Sequence, residues 1–162
     1  MHLNEVMNQP VVVCPDDSTL EQAARLMWEQ DCGVVPVVDR EGRLIGVVTD
    51  RDICMSAYTQ GRPLGAIPVT TAMAHAVVAA HESDSVESAE QLMQDNQIRR
   101  LPVVDGEGRP VGIVSLNDLA RLAAQARRTT SDRELVQTLA AICKPRMAAA
   151  DAARPLARAL AS

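Results

Sequence analysis

The stretch Gly112–Asp118, which reads Gly-Ile-Val-Ser-Leu-Asn-Asp, guides the interpretation of the whole chain. It is matched 66 positions earlier by Gly46–Asp52, which reads Gly-Val-Val-Thr-Asp-Arg-Asp. Each stretch predicts the end of a short buried strand, then a hydroxyl residue, a carboxylate three positions later and the first turn of an amphipathic helix. The sequence therefore predicts two equivalent corners, each with the layout of a ligand-binding site.

The same offset of 66 residues relates most of the chain around these corners. The matching pairs include Met7 and Met73, Glu21 and Glu87, Pro36–Asp39 and Pro102–Asp105, and Glu41–Arg43 and Glu107–Arg109. Two copies are too few for a solenoid, whose units stack in larger numbers. We therefore predict an α+β fold in which two βαββα copies are related by a pseudo-twofold axis and pack sheet to sheet.

Hydrophobic periodicity and turn residues place the elements within each copy. The first copy predicts a strand, a helix capped by Asp17 or Ser18, a hairpin and a second helix, at Val11–Val13, Leu20–Gln30, Val34–Val38, Leu44–Val48 and Asp50–Tyr58. The second copy predicts the same elements at Val77–Ala79, Val86–Asp95, Leu101–Val104, Pro110–Val114 and Leu116–Ala126. The predicted units are residues 1–62, residues 63–128 and a C-terminal segment, residues 129–162.

The C-terminal segment does not follow the repeat. Ser131–Glu134 reads as a capping box, and Leu135, Leu139 and Ile142 form one apolar stripe before an alanine-rich tail. Such a stripe must pack against another apolar surface, because it is too apolar to lie free in water. We expect it to dock on its own module, in preference to a second protomer or a partner protein.

Composition bounds the class of protein. An apolar fraction of 47% in 162 residues suits a globular protein, while net charge −5 and 1% aromatic residues disfavour nucleic acid binding. The longest apolar runs fall short of the ~18 residues that a membrane span requires, and the first residues do not read as a signal segment. A cytoplasmic protein without membrane contact is expected. The four cysteines are scattered singly, so neither a metal site nor a disulfide is predicted.

The paired Pro-Val-Val-Asp segments, the Glu-Gly-Arg turns and the two corners resemble a tandem cystathionine-β-synthase (CBS) domain pair, or Bateman module, of the stand-alone bacterial type. The resemblance covers about residues 1–126. It implies adenosyl ligands, namely AMP, ADP, ATP, S-adenosylmethionine or NAD, bound in clefts between the two domains. It also implies a dimer, and a protein partner that the sequence does not identify.

The chemistry of the corners can be argued from their residues. An aspartate in the first turn of a helix, Asp52 or Asp118, can accept two hydrogen bonds from a ribose diol. The hydroxyls of Thr49 and Ser115 can bond ribose or phosphate beside the positive end of the helix. The same spacing is also that of a helix-capping pair, and the residues alone do not decide between the two roles.

Further candidates flank the corners. In the second copy a cation pair, Arg99 and Arg100, precedes the cleft strand and suits phosphate oxygens of a nucleotide at the second corner, although a solvated surface pair is the alternative. The first copy has Gly33 and Val34 there, so the two sites should differ. An aliphatic slot for adenine is predicted, although each of its residues could equally be ordinary core. The candidates for the slot are Val12, Val13, Val35, Val78, Leu101 and Ile98. Arg51 and Asn117 are the remaining candidates at the corners.

Three functional classes follow. A nucleotide-sensing regulatory module fits the corners best; a dimeric scaffold with vestigial clefts, and a redox or hydrolytic activity at Cys14 or the histidines, are the alternatives. No catalytic activity is predicted, because His2, His75 and His81 have no evident nucleophile partner. The helices carry more apolar residues than one small sheet can cover, so a homodimer is predicted.

Overall fold

A computed structural model describes residues 1–125 and 132–144 of the chain. In chain order its strands and helices are β1 (Cys14–Pro15), α1 (Leu20–Glu29), β2 (Val34–Val38), β3 (Leu44–Thr49), α2 (Asp50–Gln60), β4 (Ala80–His81), α3 (Val86–Asn96), β5 (Arg100–Val104), β6 (Pro110–Ser115), α4 (Leu116–Gln125) and α5 (Asp132–Ile142). Short 3₁₀ turns lie at Leu3–Glu5, Leu64–Ala66 and Val69–Thr71.

Two three-stranded sheets with the same order form the two halves. β1 is parallel to β2 and β2 antiparallel to β3, and β4, β5 and β6 repeat this arrangement. Cys14 lies opposite Val37, and the residues 66 positions later pair in the same way. The two hairpins meet where the Leu44 amide donates to the Gly108 carbonyl at 2.9 Å. The predicted α+β fold of two pseudo-twofold-related repeats is confirmed.

The first strand of each copy was wrongly placed. Val11–Val13 and Val77–Ala79 have no regular secondary structure, and β1 and β4 begin at Cys14 and Ala80. A strand requires a partner, and the chain reaches β2 or β5 only at these later residues. A run of small apolar residues favours an extended chain but does not show where that pairing begins.

The cap of α1 is also different from the prediction. The helix is capped by Thr19, not by Asp17 or Ser18. The Thr19 amide donates to Gln22 Oε1 at 2.8 Å, while the Gln22 amide donates to Thr19 Oγ1 at 3.5 Å. This reciprocal capping box places the first buried helical residue, Leu20, at position one of the helix.

Each packed core combines residues from both sequence copies. Leu3, at the start of the first copy, is fully buried in the cluster of the second half, and Val69, its counterpart, is buried in the cluster of the first half. The backbone follows the same exchange: Asn8 and Ile113 of β6 bond in both directions at 2.9 and 3.1 Å. The N-terminal segment of each copy therefore lies on the opposite half.

Two glycines make this exchange possible. A Cβ atom at Gly112 would lie 2.3 Å from Met7 Sδ, and one at Gly46 would lie 2.4 Å from Met73 Sδ. Gly112→Val should therefore lower the free energy of unfolding by about 1–3 kcal/mol, the usual penalty for overpacking. Gly106→Val is the control, because a Cβ there meets nothing within 4 Å. Urea denaturation measures both, and equal midpoints for the two variants would contradict the exchanged packing.

The C-terminal helix docks on its own module, as predicted. α5 packs against α3 and α4, and Ile142, 5% exposed, joins the core of the second half. Gln94 Nε2 of α3 donates to Thr138 Oγ1 at 2.8 Å. The predicted capping residue Ser131 and the alanine-rich tail after Lys144 lie outside the described residues.

Candidate ligand-binding clefts

Two clefts open between the halves, one at each corner. The second-corner cleft, about 640 Å³, is bordered by the start of α4, residues 10–12 and the loop before β2. The first-corner cleft, about 730 Å³, is bordered by the start of α2, residues 76–78, the loop before β5 and the end of α5. Most of their lining positions are related by the 66-residue offset. The clefts are therefore pseudo-twofold equivalents.

Asp118 is the most heavily bonded group of the second-corner cleft. It is 4% exposed and accepts from the Ser115 amide at 2.8 Å, from the Ser115 hydroxyl, and from Asn8 Nδ2 at 2.8 Å. Arg121 Nη2 adds an ion pair with Oδ1. Burial raises the pKa of Asp118, but the hydrogen bonds from Ser115, Asn8 and Arg121 outweigh it, and the net pKa is lowered.

Asp52 occupies the equivalent position with fewer donors. It accepts from the Thr49 amide at 2.9 Å and from Thr49 Oγ1 at 2.7 Å, which forms the capping box of α2. The residues that correspond to Asn8 and Arg121 are Ala74 and Met55, whose side chains have no N–H to donate. Both corners thus cap helices in this structure, and the Asp52 carboxylate has fewer partners than Asp118.

The two arginines differ in which clefts they border. Arg99 lines the first-corner cleft with Thr49 and Arg51, whereas Arg100 borders both clefts. The expectation that both lie beside the second corner is corrected for Arg99, because adjacent residues of an extended chain point to opposite sides. Arg100 Nη2 passes over Gly33, where a Cβ atom would lie 3.2 Å away. Gly33 thus leaves room for this guanidinium.

The predicted apolar residues divide between clefts and core. Val12 lines the second-corner cleft, and Val78 and Ile98 line the first. Val35 and Leu101 are fully buried in the two cores, so we leave them out of the proposed site.

Of the remaining candidates, one lines a cleft and two do not. Asn117 lines the second-corner cleft with Ser115 and Asp118, whereas Val13 and Asp52 are not among the described residues that line either cleft.

Sequence reasoning missed three residues of the clefts. Asn8 reaches Asp118 through the exchanged segment, 110 positions away. Arg121 lies one turn after Asp118, a spacing at which side chains meet on a helix, so this contact could have been found. Lys144, which follows α5 and lies outside the repeat, lines the first-corner cleft.

Comparison with known proteins identifies the family. The CBS domain model matches residues 3–57 and 64–125, so the chain belongs to the CBS domain family. It is 42% identical over 118 residues to the CBS domain-containing protein YhcV of Bacillus subtilis, a match that covers 73% of this chain and 82% of that protein. It also matches inosine-5′-monophosphate dehydrogenase of Methanocaldococcus jannaschii at 35% identity, but covers only 27% of that enzyme.

Solved structures of CBS pairs share the fold. The CBS domain pair of protein MJ0100, in complex with 5′-methylthioadenosine and S-adenosyl-L-methionine, superposes with a TM-score of 0.70 at 26% identity, covering 77% of this chain and 97% of that one. A CBS domain protein from Pyrobaculum aerophilum, complexed with AMP, gives a TM-score of 0.68 at 25% identity, covering 86% of this chain and 98% of that one. These relatives bind adenosyl ligands.

Neither a membrane-spanning helix nor a cluster of metal ligands occurs in the part of the chain that the structure describes. Among residues 1–125 and 132–144, no helix has the length and apolar character to cross a bilayer. Within the same residues, no group of three or more His, Cys, Asp or Glu side chains could hold a metal ion.

Proposed function

We propose that this protein is a regulatory module that binds an adenosyl ligand, such as AMP, ADP, ATP, S-adenosylmethionine or NAD, in its two clefts and acts without catalysis of its own. The observation that carries the proposal is the pair of equivalent clefts, each with a corner hydroxyl, Thr49 or Ser115, beside an aliphatic wall; Asp118 adds a carboxylate to the second-corner cleft. The solved relatives with AMP, 5′-methylthioadenosine and S-adenosyl-L-methionine support the ligand class. A cytoplasmic location stays a prediction.

Each cleft offers the groups that an adenosyl ligand needs. In the second-corner cleft, Ser115 and Asp118 would hold the ribose hydroxyls, Asn117 lies beside them, and Val12 would contact the purine. Arg100 at the edge of the cleft would meet a phosphate oxygen. In the first-corner cleft Thr49, Arg51 and Val78 occupy the places of Ser115, Asn117 and Val12, and Arg99 adds a cation that has no counterpart in the second-corner cleft.

Ligand binding can be tested directly. Nucleotide released by denaturing the purified protein should be identified by mass, and calorimetry should detect AMP or ATP binding below millimolar. Asp118→Ala should weaken binding by roughly 1.5–3 kcal/mol, the range for hydrogen bonds to a charged group, or roughly 10- to 150-fold. The exposed Asp17→Ala is the carboxylate control and should leave affinity unchanged. Absence of any adenosyl ligand binding below millimolar would refute the proposal.

A dimerisation scaffold with vestigial clefts is the second candidate. One observation favours it: the Asp118 carboxylate already has partners in Ser115, Asn8 and Arg121. A ligand must displace some of these contacts, which reduces the net gain on binding. The same calorimetry separates the two candidates, because a scaffold would dimerise without binding nucleotide.

We further propose that the protein is a homodimer joined through the helices of the first half. Trp28 of α1 and Met55 and Tyr58 of α2 expose 89%, 41% and 67% of their surface. Trp28 also lines a groove of about 460 Å³ with Met27 and Ile53. In the second half the position equivalent to Trp28 is Gln94, which donates to α5. α5 thus covers the helices of the second half, α3 and α4, and a second copy of the chain would cover those of the first half, α1 and α2.

A further inference from the structure

The two clefts differ in charge. In the first-corner cleft four cations face one carboxylate; these lining residues are Arg51, Arg99, Arg100, Lys144 and Asp50. In the second-corner cleft two cations face two carboxylates; these are Arg100, Arg121, Asp31 and Asp118. When Arg100, which borders both clefts, is counted in each, the formal charge of the lining groups is +3 (four minus one) in the first and zero (two minus two) in the second; without it the charges are +2 (three minus one) and −1 (one minus two).

The positive charge of the first-corner cleft is not neutralised within the described part of the chain. None of the ion pairs found there involves Arg51, Arg99, Arg100 or Lys144. By contrast, Arg121 of the second-corner cleft is already paired with Asp118. Several unpaired cations around one concave surface raise the local concentration of anions and suit charge-assisted hydrogen bonds to phosphate.

The rest of the first-corner cleft is apolar. Val47, Val78, Ile98 and Pro102 form its walls, and Thr49 supplies a hydroxyl at the start of α2. A ligand that fits must therefore join a flat apolar group to a strongly anionic one. An adenosyl polyphosphate has this combination, whereas adenosine lacks the anion and inorganic phosphate lacks the apolar group.

We infer that the first-corner cleft selects an adenosyl di- or triphosphate, while the second-corner cleft takes an adenosyl ligand with one phosphate or none. This inference rests on the proposed function and adds the ligand class of each cleft. The specificity residues are Arg51, Arg99 and Lys144, which the second-corner cleft replaces with neutral groups or lacks. Arg51 corresponds to Asn117, and Arg99 to Gly33.

Lys144 links this cleft to the C-terminal helix. Gln97 Nε2 donates to the carbonyls of Ala141 and Lys144, both at 3.4 Å, and so holds the end of α5 at the cleft. Phosphates in the cleft would therefore contact Lys144, directly after the docked helix α5. The second-corner cleft has no contribution from α5 among its described lining residues.

A pair of matched blocking variants tests the assignment. Val78→Trp should fill the first-corner cleft, and Val12→Trp, 66 positions earlier, should fill its equivalent. Both side chains are partly exposed at a cleft wall, but Val78 also packs against the core of the second half, so urea denaturation must first show that each variant folds. Calorimetry with ATP and AMP should show that Val78→Trp removes the ATP site and keeps AMP binding, and that Val12→Trp does the reverse. Equal effects of both variants on ATP and AMP would overturn the inference.

Charge removal gives a second readout. Arg51→Ala and Arg99→Ala should each weaken ATP binding about tenfold and change adenosine binding less than twofold, because only phosphate loses a charged partner. Arg40→Ala, an exposed cation of the first hairpin turn outside both clefts, is the control for net charge and should change neither affinity. If Arg40→Ala loses as much ATP affinity, the cleft arginines act only through the net charge of the protein and do not contact phosphate directly.

Tripolyphosphate as a third probe separates this inference from the proposed function. Tripolyphosphate binding that depends on Arg99, without binding of any adenosyl compound, would refute the adenosyl proposal and with it the adenosyl part of the inference, leaving a polyphosphate site. Adenosyl binding without a preference for ATP in the first-corner cleft would refute the inference and keep the proposed function. No binding by any probe would refute both.

Discussion

Replacing Trp28 with aspartate is expected to convert the protein from dimer to monomer at micromolar concentration. Trp28 is 89% exposed on α1, which packs against α2, and α2 exposes Met55 and Tyr58. Exposed large apolar side chains on two adjoining helices are typical of an interface. Truncation of a central aromatic residue commonly weakens association by about 2–4 kcal/mol, and a buried charge adds to this. The dimer dissociation constant should rise by roughly 30- to 1,000-fold.

The pseudo-twofold axis supplies a matched control for this experiment. Tyr58→Asp should weaken the dimer in the same way, whereas Ala124→Asp, at the equivalent exposed position of α4, should not. Sedimentation velocity across a concentration series measures both. A wild-type protein that is monomeric, or variants at Tyr58 and Ala124 with equal effects, would show that the first-half face is not the interface.

The sequence repeat was sufficient to predict the architecture. Hairpins, helices and the order of strands depend on local periodicity and on turn residues such as Gly42 and Gly108, both of which have positive φ in the structure. These signals occur twice at a constant offset, so each copy supported the assignment of the other. The bounds of β2 and β5 agree with the prediction to within one residue.

The composition of the clefts could not be predicted in the same way. A repeat is compatible with two arrangements. The N-terminal segment of each copy can pack on its own half or on the opposite half, and the hydrophobic pattern of the sequence is the same in both cases. Asn8 reaches Asp118 only because the second arrangement is adopted. The sequence offset also carries no information on Lys144, which lies outside the repeat and is brought to the first-corner cleft by the docking of α5.

Asp118→Ala is expected to destabilise the fold more than its equivalent, Asp52→Ala. The Asp118 carboxylate is itself nearly buried, and its loss removes the acceptor shared by Ser115, the exposed Asn8 and the largely exposed Arg121 guanidinium. Loss of hydrogen bonds to a charged group of this kind lowers the free energy of unfolding by about 1.5–3 kcal/mol. Loss of Asp52 removes a cap, for which about 1 kcal/mol is typical.

The pH dependence distinguishes a charge effect from loss of packing. The pKa of Asp118 is lowered in the folded state, so its contribution is present above the unfolded value of about 3.9 and is lost as pH falls through the folded pKa. Urea denaturation at pH 7 should therefore separate wild type from Asp118→Ala by the full difference. The difference should shrink steadily as the pH is lowered below about 3.9, where the unfolded chain takes up a proton first. A gap between wild type and Asp118→Ala that stays constant down to the lowest pH at which both proteins fold would mean that the side chain acts by filling space, and that its ionised carboxylate does not stabilise the second corner.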